Sequence, residues 1–581
     1  MWLINTKTLA LEFFGNPPVG SYAILSHTWE SDEEVTFQDF NNNNRTARNK
    51  RGFAKIHRTC QLARERDLPY AWVDTCCIDK SSSAELSEAI NSMFRWYKDS
   101  VVCFTLLSDL RPRSDNGAGP AQPDNEFKTG FRECRWVKRG WTLQELIAPR
   151  HVEFYDMSWS MRASKASHTR FLSEVTRISV PVLEDSSNLS RVLIAKRMSW
   201  ASRRETTRVE DMAYCLLGLF DINLPMIYGE GEKAFMRLQE EIAKQSCDLS
   251  LLAWRAQPQG RGGKTQTYRG IFANSPAEFA DCFDMRPGTK GLPIERDFLV
   301  TNKGLRIETT LVNVLEEPHC LVFNLGVREG SDWTHDNTDG WVGVYVTKTA
   351  GNYYVRARPH ELYTATTGRL RCNKGLLYMR KTLSADESSI LSYQYHNAIR
   401  LRSITSGKDV IRYSFDNVQP EDLWDTKMVL FLDPGSGLNT LTVLKFPGSI
   451  SQKIREFRVV IACSTMGTPL CAIWSEQDTS VWNDILRYMQ RMREISDYTT
   501  FDYLRDRFGK HMVENTSSIC RFRDPDSNKE AVVEVKLTSD KLQGMDCFSI
   551  DVILHRGIKE EMVPRLYKWS EKAHKSHDLP K

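Results

Sequence analysis

The stretch LPYAWVDTCCIDKSSSAELSEAINSMFRWYKDSVVCFTLLSDL (Leu68–Leu110) predicts a strand, a helix and a second strand in that order. Tyr70–Val73 and the run that begins at Val101 are short and apolar, as the buried strands of a parallel sheet are. Between them, Ser82 precedes Glu85 by three residues, which is the spacing of a helix capping box. Apolar residues at helical spacing follow: Leu86, Ile90, Met93, Phe94 and Tyr97. A unit of this kind indicates a parallel α/β sheet.

The same alternation continues on both sides of this unit. YAILSHTW (Tyr22–Trp29) predicts an earlier strand, RWVKRGWTLQELIAP (Arg135–Pro149) a further helix, and HVEFYD (His151–Asp156) a fourth strand. Because strands alternate with helices, we expect a parallel α/β sheet covered on both faces in residues 1–165.

The rest of the chain changes in character twice. Helical periodicity dominates residues 166–255, and residues 256–581 contain many short β-rich runs separated by Gly, Pro, Asn and Asp. One helical pattern, SVWNDILRYMQRMREI (Ser480–Ile495), interrupts these runs. We therefore expect a helical extension of the α/β core, followed by a β-rich C-terminal region that is sandwich-like or barrel-like, in one or two units.

The composition excludes several classes of protein. A chain of 581 residues with 41% hydrophobic and 26% charged residues is typical of a globular protein with several domains. The net charge of +4 is small and no block of Lys and Arg is dense, so we expect no nucleic-acid partner. Because the start does not resemble a signal peptide and no apolar run could span a bilayer, we expect a cytoplasmic protein without a transmembrane segment. The 14 cysteines include no CxxC pair, so we expect reduced thiols, no metal site and no bound cofactor.

Polar candidate residues stand where the first two predicted strands end. Ser26, His27 and Trp29 close the first strand. Asp74 follows the second strand. Open α/β sheets bind their ligands at this edge, so we expect these four residues to lie near one another in a site. His27 fits a catalytic base or a structural hydrogen-bonding side chain, and Asp74 fits a contact to a ribose hydroxyl or a turn.

A glutamate lies beside a tryptophan in the segment RWVKRGWTLQELIAP. Trp141 and Glu145 are four residues apart, so they share one face of the predicted helix. A carboxylate in an apolar setting can stabilise a positive charge that develops in a transition state. The structural alternative is that Glu145 caps the helix or pairs with Arg139 or Lys138, while Trp141 packs in the core. The segment by itself leaves both readings open.

Three arginines lie close together before a helical segment of the extension. Arg203, Arg204 and Arg208 occur in SWASRRETTRVED. They could contact an anionic nucleotide, but charged clusters of this size usually form a solvated or ion-paired face. We expect the second arrangement.

Six motifs in order resemble the fungal heterokaryon-incompatibility (HET) domain: YAILSHTW, VDTCCIDK, SEAINSMFRWY, GWTLQELIAP, RMSWASRRETTRVEDMAYCLLGLFD and YGEGEKAFMRLQEEI. The resemblance covers about residues 1–250. HET-domain proteins are associated with fungal allorecognition, in which contact between unlike strains triggers programmed cell death. The resemblance implies that this protein signals or executes such cell death. It also implies self-association through the HET domain and a non-self or upstream sensor protein as partner.

HET domains in turn resemble, more distantly, the TIR domains of innate immunity, which have a flavodoxin-like parallel sheet. The TIR pattern W-C-x-x-E-L matches residues 141–146 here, with Thr142 in the place of the Cys. A second departure is Arg139, which stands where TIR domains usually have Ser. The implied fold class is a flavodoxin/TIR-like α/β core with a helical extension and a β-rich C-terminal region.

The TIR resemblance also implies an activity. In TIR domains that hydrolyse NAD the matching glutamate is catalytic, which implies that Glu145 is catalytic and that NAD is a substrate rather than a cofactor. The residues expected to line the site are Ser26, His27, Trp29, Asp74 and Trp141.

Two functions of another kind also fit the sequence. The α/β domain could be a non-enzymatic scaffold that self-associates and recruits partners through its exposed helices. The β-rich C-terminal region could be the sensor of a non-self ligand, or a clamp on the HET module.

Overall fold

The computed structural model describes most of the first 257 residues and, beyond them, chiefly strands. The described ranges are 1–16, 19–42, 45–113, 122–257, 266–288, 298–314, 317–330, 341–349, 353–365, 372–392, 398–406, 409–410, 418–419, 424–425, 430–432, 440–446, 457–463, 469–475, 513–514, 517–523, 530–542 and 545–556. The helix predicted for Ser480–Ile495 lies outside these ranges.

A seven-stranded sheet forms the centre of the N-terminal region, in the order β2-β1-β4-β3-β5-β6-β7. Its strands are β1 (Trp2–Asn5), β2 (Leu11–Phe13), β3 (Tyr22–His27), β4 (Tyr70–Trp72), β5 (Val102–Leu106), β6 (Val152–Tyr155) and β7 (Met161–Ser164). The four predicted strands, β3, β4, β5 and β6, are present and are parallel to one another. Numbered along the chain among themselves they have the order 2-1-3-4, as in one common kind of doubly wound sheet.

The prediction of a wholly parallel sheet was wrong, because the sheet is mixed. β1 and β2 form an antiparallel hairpin beside β4 at one edge, and β7 pairs antiparallel with β6 at the other. These three strands have only three or four residues each, which is too short for an alternation of apolar and polar residues to reveal them.

Six helices accompany this sheet: α1 (Phe37–Asn41), α2 (Arg51–Arg64), α3 (Ser83–Asp99), α4 (Gln122–Glu133), α5 (Arg135–Lys138) and α6 (Thr142–Ile147). α3 begins where the capping spacing predicts, since the Ser82 side chain accepts a hydrogen bond from the Glu85 backbone N–H. One face of α3 is buried through Ala89, Ile90, Met93, Trp96 and Tyr97. This face helps to cover the sheet, and the Tyr97 hydroxyl donates to the Leu25 carbonyl oxygen of β3 at 3.1 Å.

The segment RWVKRGWTLQELIAP is not one helix, as predicted, but two short helices, α5 and α6, with three residues between them. Arg139 is extended and pairs with Glu205 as an isolated parallel bridge. The Glu205 N–H donates to the Lys138 carbonyl at 2.7 Å, and the Gly140 N–H donates to the Glu205 carbonyl at 2.8 Å. A Cβ at Gly140 would lie 2.6 Å from Thr206 Cγ2, so the approach of this second segment requires glycine. A contact between distant parts of the chain therefore interrupts the helix.

The helical extension contains α7 (Thr169–Thr176), α8 (Val180–Glu184), α9 (Ile194–Ser199), α10 (Asp211–Tyr214), α11 (Leu217–Phe220) and α12 (Lys233–Gln245). The apolar stripe of α12 is buried through Phe235, Leu238 and Ile242. Short 3-10 segments are Arg45–Asn49, Ser186–Arg191, Leu249–Leu252, Pro276–Phe279 and Cys282–Asp284. In the part of the chain that the structure describes, no helix has both the length and the apolar character needed to cross a bilayer.

The C-terminal region is β-rich, as predicted, with strands in three further sheets. A nine-stranded sheet has the order β10-β11-β16-β14-β13-β12-β9, with β8 beside β14 and β15 beside β13. A seven-stranded sheet has the order β20-β21-β17-β28-β27-β26, with β18 beside β17, and a five-stranded sheet has the order β19-β22-β23-β24-β25. The strands are β8 (Tyr268–Arg269), β9 (Arg286–Pro287), β10 (Phe298–Thr301), β11 (Gly304–Val314), β12 (Glu317–Arg328), β13 (Trp341–Thr349), β14 (Tyr353–Ala357), β15 (Tyr363–Ala365), β16 (Cys372–Met379), β17 (Ile399–Ser406), β18 (Asp409–Val410), β19 (Val418–Gln419), β20 (Trp424–Asp425), β21 (Leu430–Phe431), β22 (Thr440–Phe446), β23 (Phe457–Cys463), β24 (Pro469–Ser475), β25 (Val513–Glu514), β26 (Ser517–Arg523), β27 (Glu530–Leu542) and β28 (Met545–Arg556), and one helix, α13 (Ala385–Ser392), lies among them.

The nine-stranded sheet packs directly on the helical extension. One cluster of buried apolar side chains runs from the N-terminal sheet through the extension into this sheet, as far as Met379. Trp254 is fully buried there, and its indole N–H donates to the Ile271 carbonyl at 2.8 Å. The guanidinium of Arg356, which is also fully buried, lies 3.7 Å from the Trp254 ring centroid and donates to the Leu252 carbonyl. The apolar core is thus continuous across residue 255, where the helical extension was predicted to end.

Candidate active site

The predicted site residues lie at the carboxyl edge of the parallel strands. Ser26 and His27 are the last residues of β3, and Asp74 follows β4. β3 and β4 pair in parallel with Ile24 opposite Trp72, so the residues that follow both strands emerge side by side. Glu145, in α6, approaches the same edge of β3. Two chains of hydrogen bonds connect these residues.

The first chain joins Glu145, Ser26 and Trp136. The Ser26 hydroxyl donates to Glu145 Oε2 and accepts a hydrogen bond from the Trp136 indole N–H at 2.7 Å. Ser26 and Trp136 are fully buried and Glu145 is 7% exposed. The glutamate is therefore held by a serine, and not by a salt bridge to Arg139 or Lys138 as the structural alternative predicts. Its carboxyl group is fixed in one position by partners that are themselves fixed.

Burial has the largest effect on the pKa of Glu145. Removal from water disfavours the charged form and raises the pKa of Glu145 from 4.5 to about 8. The hydrogen bond from Ser26 opposes this shift, and the negative charge of Asp74 adds to it. Arg139 and Arg204 act in the opposite direction, but more weakly. At neutral pH the carboxyl group of the unliganded protein is therefore mostly protonated.

The second chain joins His27, Asp74 and Trp29. His27 Nε2 lies 3.0 Å from Asp74 Oδ1, and the Trp29 indole N–H donates to Asp74 Oδ2 at 2.9 Å. On the other side of the imidazole, Lys55 Nζ lies 3.3 Å from His27 Nδ1. Because the lysine ammonium can only donate, Nδ1 accepts and Nε2 carries the proton toward Asp74. Both ring nitrogens are thus engaged, which supports the structural role for His27 over that of a catalytic base.

Asp74 differs from Glu145 in its ionisation. Burial acts to raise the pKa of Asp74, but the hydrogen bond from His27, the positive charge of Lys80 and the hydrogen bond from Trp29 outweigh it and lower the pKa. Asp74 is therefore a carboxylate at neutral pH, while Glu145 is protonated. Two carboxyl groups in one site with pKa values moved apart are the usual basis for a division of acid and base roles.

Trp141 does not join either chain. It stands immediately before α6, where its indole group opposes the rise that burial causes in the pKa of Asp211 at the start of α10. The Tyr228 hydroxyl donates to the same carboxylate at 3.0 Å. Trp141 precedes the first residue of α6, and the shared helical face predicted for Trp141 and Glu145 stays a prediction. The contacts of the Trp141 ring, however, tie α6 to the helical extension.

Arg204 belongs to the surroundings of Glu145, and its prediction as part of a solvated or ion-paired face was wrong. It is 7% exposed and donates to the Arg139 carbonyl at 2.8 Å and to Thr142 Oγ1 at 2.9 Å. The Thr142 hydroxyl in turn donates to the Trp136 carbonyl at 2.6 Å. Arg204 therefore holds the connection between α5 and α6, and with it the position of Glu145. No local pattern distinguishes it from Arg203, because two of its three hydrogen-bond partners lie more than 60 residues earlier.

Lys55 and Trp136 were also not predicted as parts of the site. Lys55 interrupts the buried stripe of α2 and is 5% exposed. Its ammonium donates to Glu34 and to the Thr28 carbonyl as well as to His27, so its three protons are all used. A lysine within an apolar helical stripe is a signal that could have identified it. Within the described ranges, no cluster of three or more His, Cys, Asp or Glu residues could hold a metal ion.

Comparison with known proteins identifies the domain that carries this site. Residues 22–125 match the family model described as heterokaryon incompatibility protein (HET). The chain is 47% identical over 225 residues to the vegetative incompatibility protein HET-E-1 of Podospora anserina. That alignment covers 38% of this chain and 16% of the relative, so the chain spans a small part of the relative's length. No solved structure matches the chain significantly. The protein therefore carries a HET domain.

Proposed function

We propose that this protein acts in fungal heterokaryon incompatibility, and that its HET domain signals or executes cell death by cleaving NAD between nicotinamide and ribose. The first part rests on the similarity to a vegetative incompatibility protein over 225 residues. The second part rests on one observation above all: a buried, hydrogen-bonded glutamate lies at the carboxyl edge of a parallel sheet. The order 2-1-3-4 of the parallel strands supports a flavodoxin/TIR-like core, in which that position carries the catalytic glutamate.

The proposed reaction is hydrolysis of NAD to nicotinamide, ADP-ribose and a proton. The bond between the nicotinamide nitrogen and ribose C1′ breaks, and its electron pair leaves with nicotinamide. The ribose becomes oxocarbenium-like, and a carboxylate at Glu145 stabilises this positive charge. Water adds to C1′ and gives up a proton. This proton passes to bulk water, since both oxygens of the Asp74 carboxylate already accept hydrogen bonds from His27 and Trp29.

Protonation of Glu145 at neutral pH does not conflict with this role. The nicotinamide ring of NAD is positively charged, and an opposite charge nearby favours the ionised form of a carboxyl group. Binding of the substrate would therefore shift Glu145 toward the carboxylate. Ser26 can donate its hydrogen bond to the carboxylate throughout, since its own oxygen is held by Trp136.

Self-association through the HET domain is part of the proposal, as the means by which the site is activated.

Expression of wild-type protein and Glu145→Gln in cells at matched levels tests the proposal. We expect the wild type to lower cellular NAD and viability together, and the variant to lower neither. Glu133→Gln is the matched control, because Glu133 is an exposed glutamate at the end of α4 and undergoes the same chemical change. Killing by Glu145→Gln with NAD intact would instead favour the non-enzymatic scaffold, which requires surface contacts but not this carboxyl group.

A further inference from the structure

An exposed tryptophan at the outer edge of the site has two cations close to its ring. Trp29 follows β3 and is 41% exposed, although its indole N–H is fixed by Asp74. Lys80 Nζ lies 3.7 Å from the centroid of the Trp29 ring, and Arg139 Cζ lies 6.0 Å from it. Lys80 comes from the loop after β4 and Arg139 from the connection between α5 and α6. Three separate segments of the chain therefore place these groups together.

These two cations have no anionic side chain paired with them. In the part of the chain described by the structure, neither Lys80 nor Arg139 forms a salt bridge, and each has a contact to the Trp29 ring instead. Asp74 acts on Lys80 electrostatically but accepts hydrogen bonds from His27 and Trp29. This contrasts with Lys55, whose three protons are all engaged inside the site. Lys80 is exposed and thus accessible to a ligand.

The position of Arg139 links this cationic pair to Glu145. Its guanidinium is one of the positive charges that act on the Glu145 carboxyl group. Because Arg139 belongs to the connection that leads into α6, the helix of Glu145, an anion held by Arg139 and Lys80 would lie at the same exposed edge of the site as Trp29. A guanidinium fork and an ammonium group are the usual protein partners of phosphate oxygens.

We infer that Lys80 and Arg139, flanking Trp29, bind the pyrophosphate of a dinucleotide whose ribose lies at Glu145. This inference rests on the proposed function for the identity of the ligand. The implied ligand is a nucleotide with two linked phosphates, and these phosphates bind at the outer edge of the site. The positive charges thus determine binding, while Glu145 determines bond cleavage.

Calorimetric titration of the full chain with ADP-ribose tests this inference without requiring any turnover. ADP-ribose has the pyrophosphate and both riboses but no nicotinamide. We expect Lys80→Gln and Arg139→Gln each to weaken its binding about tenfold or more, because each removes a charge-assisted contact. Lys7→Gln should bind like the wild type, since Lys7 is an exposed lysine at the opposite edge of the sheet. Adenosine and inorganic pyrophosphate, titrated separately, distinguish contacts to the base from contacts to the phosphates.

The outcomes separate this inference from the proposed hydrolysis. If ADP-ribose binding weakens in Lys80→Gln and Arg139→Gln while NAD remains intact in the presence of wild-type protein, the pyrophosphate site stands and the hydrolysis fails. Equal ADP-ribose affinity in Lys80→Gln and wild type would overturn the pyrophosphate site, whatever the activity. Loss of affinity for adenosine but not for pyrophosphate would overturn it as well. Thermal unfolding of each variant checks that the fold is retained. If Arg139→Gln is unstable, the result for Lys80→Gln decides the test.

Discussion

Glu145→Gln is expected to lower the rate of NAD cleavage by about 100-fold or more while leaving the protein folded at neutral pH. The loss in rate follows because an amide cannot supply the negative charge that stabilises the ribosyl cation, and removal of one such electrostatic contact typically costs this much. The fold is retained because the Glu145 carboxyl group is already neutral at pH 7. Glutamine has the same shape, and its amide oxygen can accept the hydrogen bond from Ser26.

Steady-state kinetics and thermal unfolding of the same preparations measure the two parts of this prediction. We expect kcat to fall, and the variant to be at least as stable as the wild type at pH 7, because folding of the variant does not require a carboxyl group to take up a proton. Glu133→Gln again serves as the control and should match the wild type in both quantities. Equal kcat in Glu145→Gln and wild type would remove Glu145 from the mechanism.

The pH dependence of stability and that of activity are expected to run in opposite directions. The pKa of Glu145 is about 8 in the folded protein and near 4.5 in the unfolded chain, so folding favours the protonated form. This contribution to stability is complete below about pH 4.5 and is lost as the pH rises through about 8. Between about pH 6 and about pH 9 the loss is on the order of 2 to 3 kcal/mol. Activity should rise over the same range, because the carboxylate is the reactive form.

Denaturant unfolding of wild type and Glu145→Gln at several pH values isolates this contribution. As the pH rises, the variant should become more stable relative to the wild type. Because the two proteins share all other titrating groups, this change reports Glu145 alone. In the wild type, kcat/KM for NAD should increase up to about tenfold per pH unit on the acid side of pH 8. A difference in unfolding free energy that does not vary with pH would contradict the protonation of buried Glu145.

The parallel core of the fold was predictable because its signals are local. Each of the four central strands is a short apolar run, and α3 begins at Ser82 where the capping spacing places it. The edge strands were not predictable, because they have three or four residues and their pairing depends on neighbours elsewhere in the chain. The break between α5 and α6 was not predictable for the same reason, since it arises from the contact of Gly140 with the distant Glu205.

The candidate site was predictable to the extent that it follows from topology. Ser26, His27 and Asp74 are brought together because parallel strands end at one edge, and Trp29 and Glu145 join them there. Trp141 shows the limit of spacing along the sequence, because it lies outside α6 and packs against the apolar core. Arg204 shows the same limit, because the sequence pattern predicts an exposed side chain and the structure buries it. An arginine that looks like a surface charge is buried because its partners are carbonyl and hydroxyl oxygens on a distant segment.

The most direct test of the central claim is the release of nicotinamide from NAD by the purified wild-type protein. The reaction should be followed at rising protein concentration, so that self-association is included, with nicotinamide and ADP-ribose measured by chromatography. The account predicts one nicotinamide and one ADP-ribose for each NAD consumed, with Glu145→Gln close to the blank. NAD that stays intact with the self-associated wild-type protein would contradict it, and Glu145 would then be a structural residue of a scaffold domain.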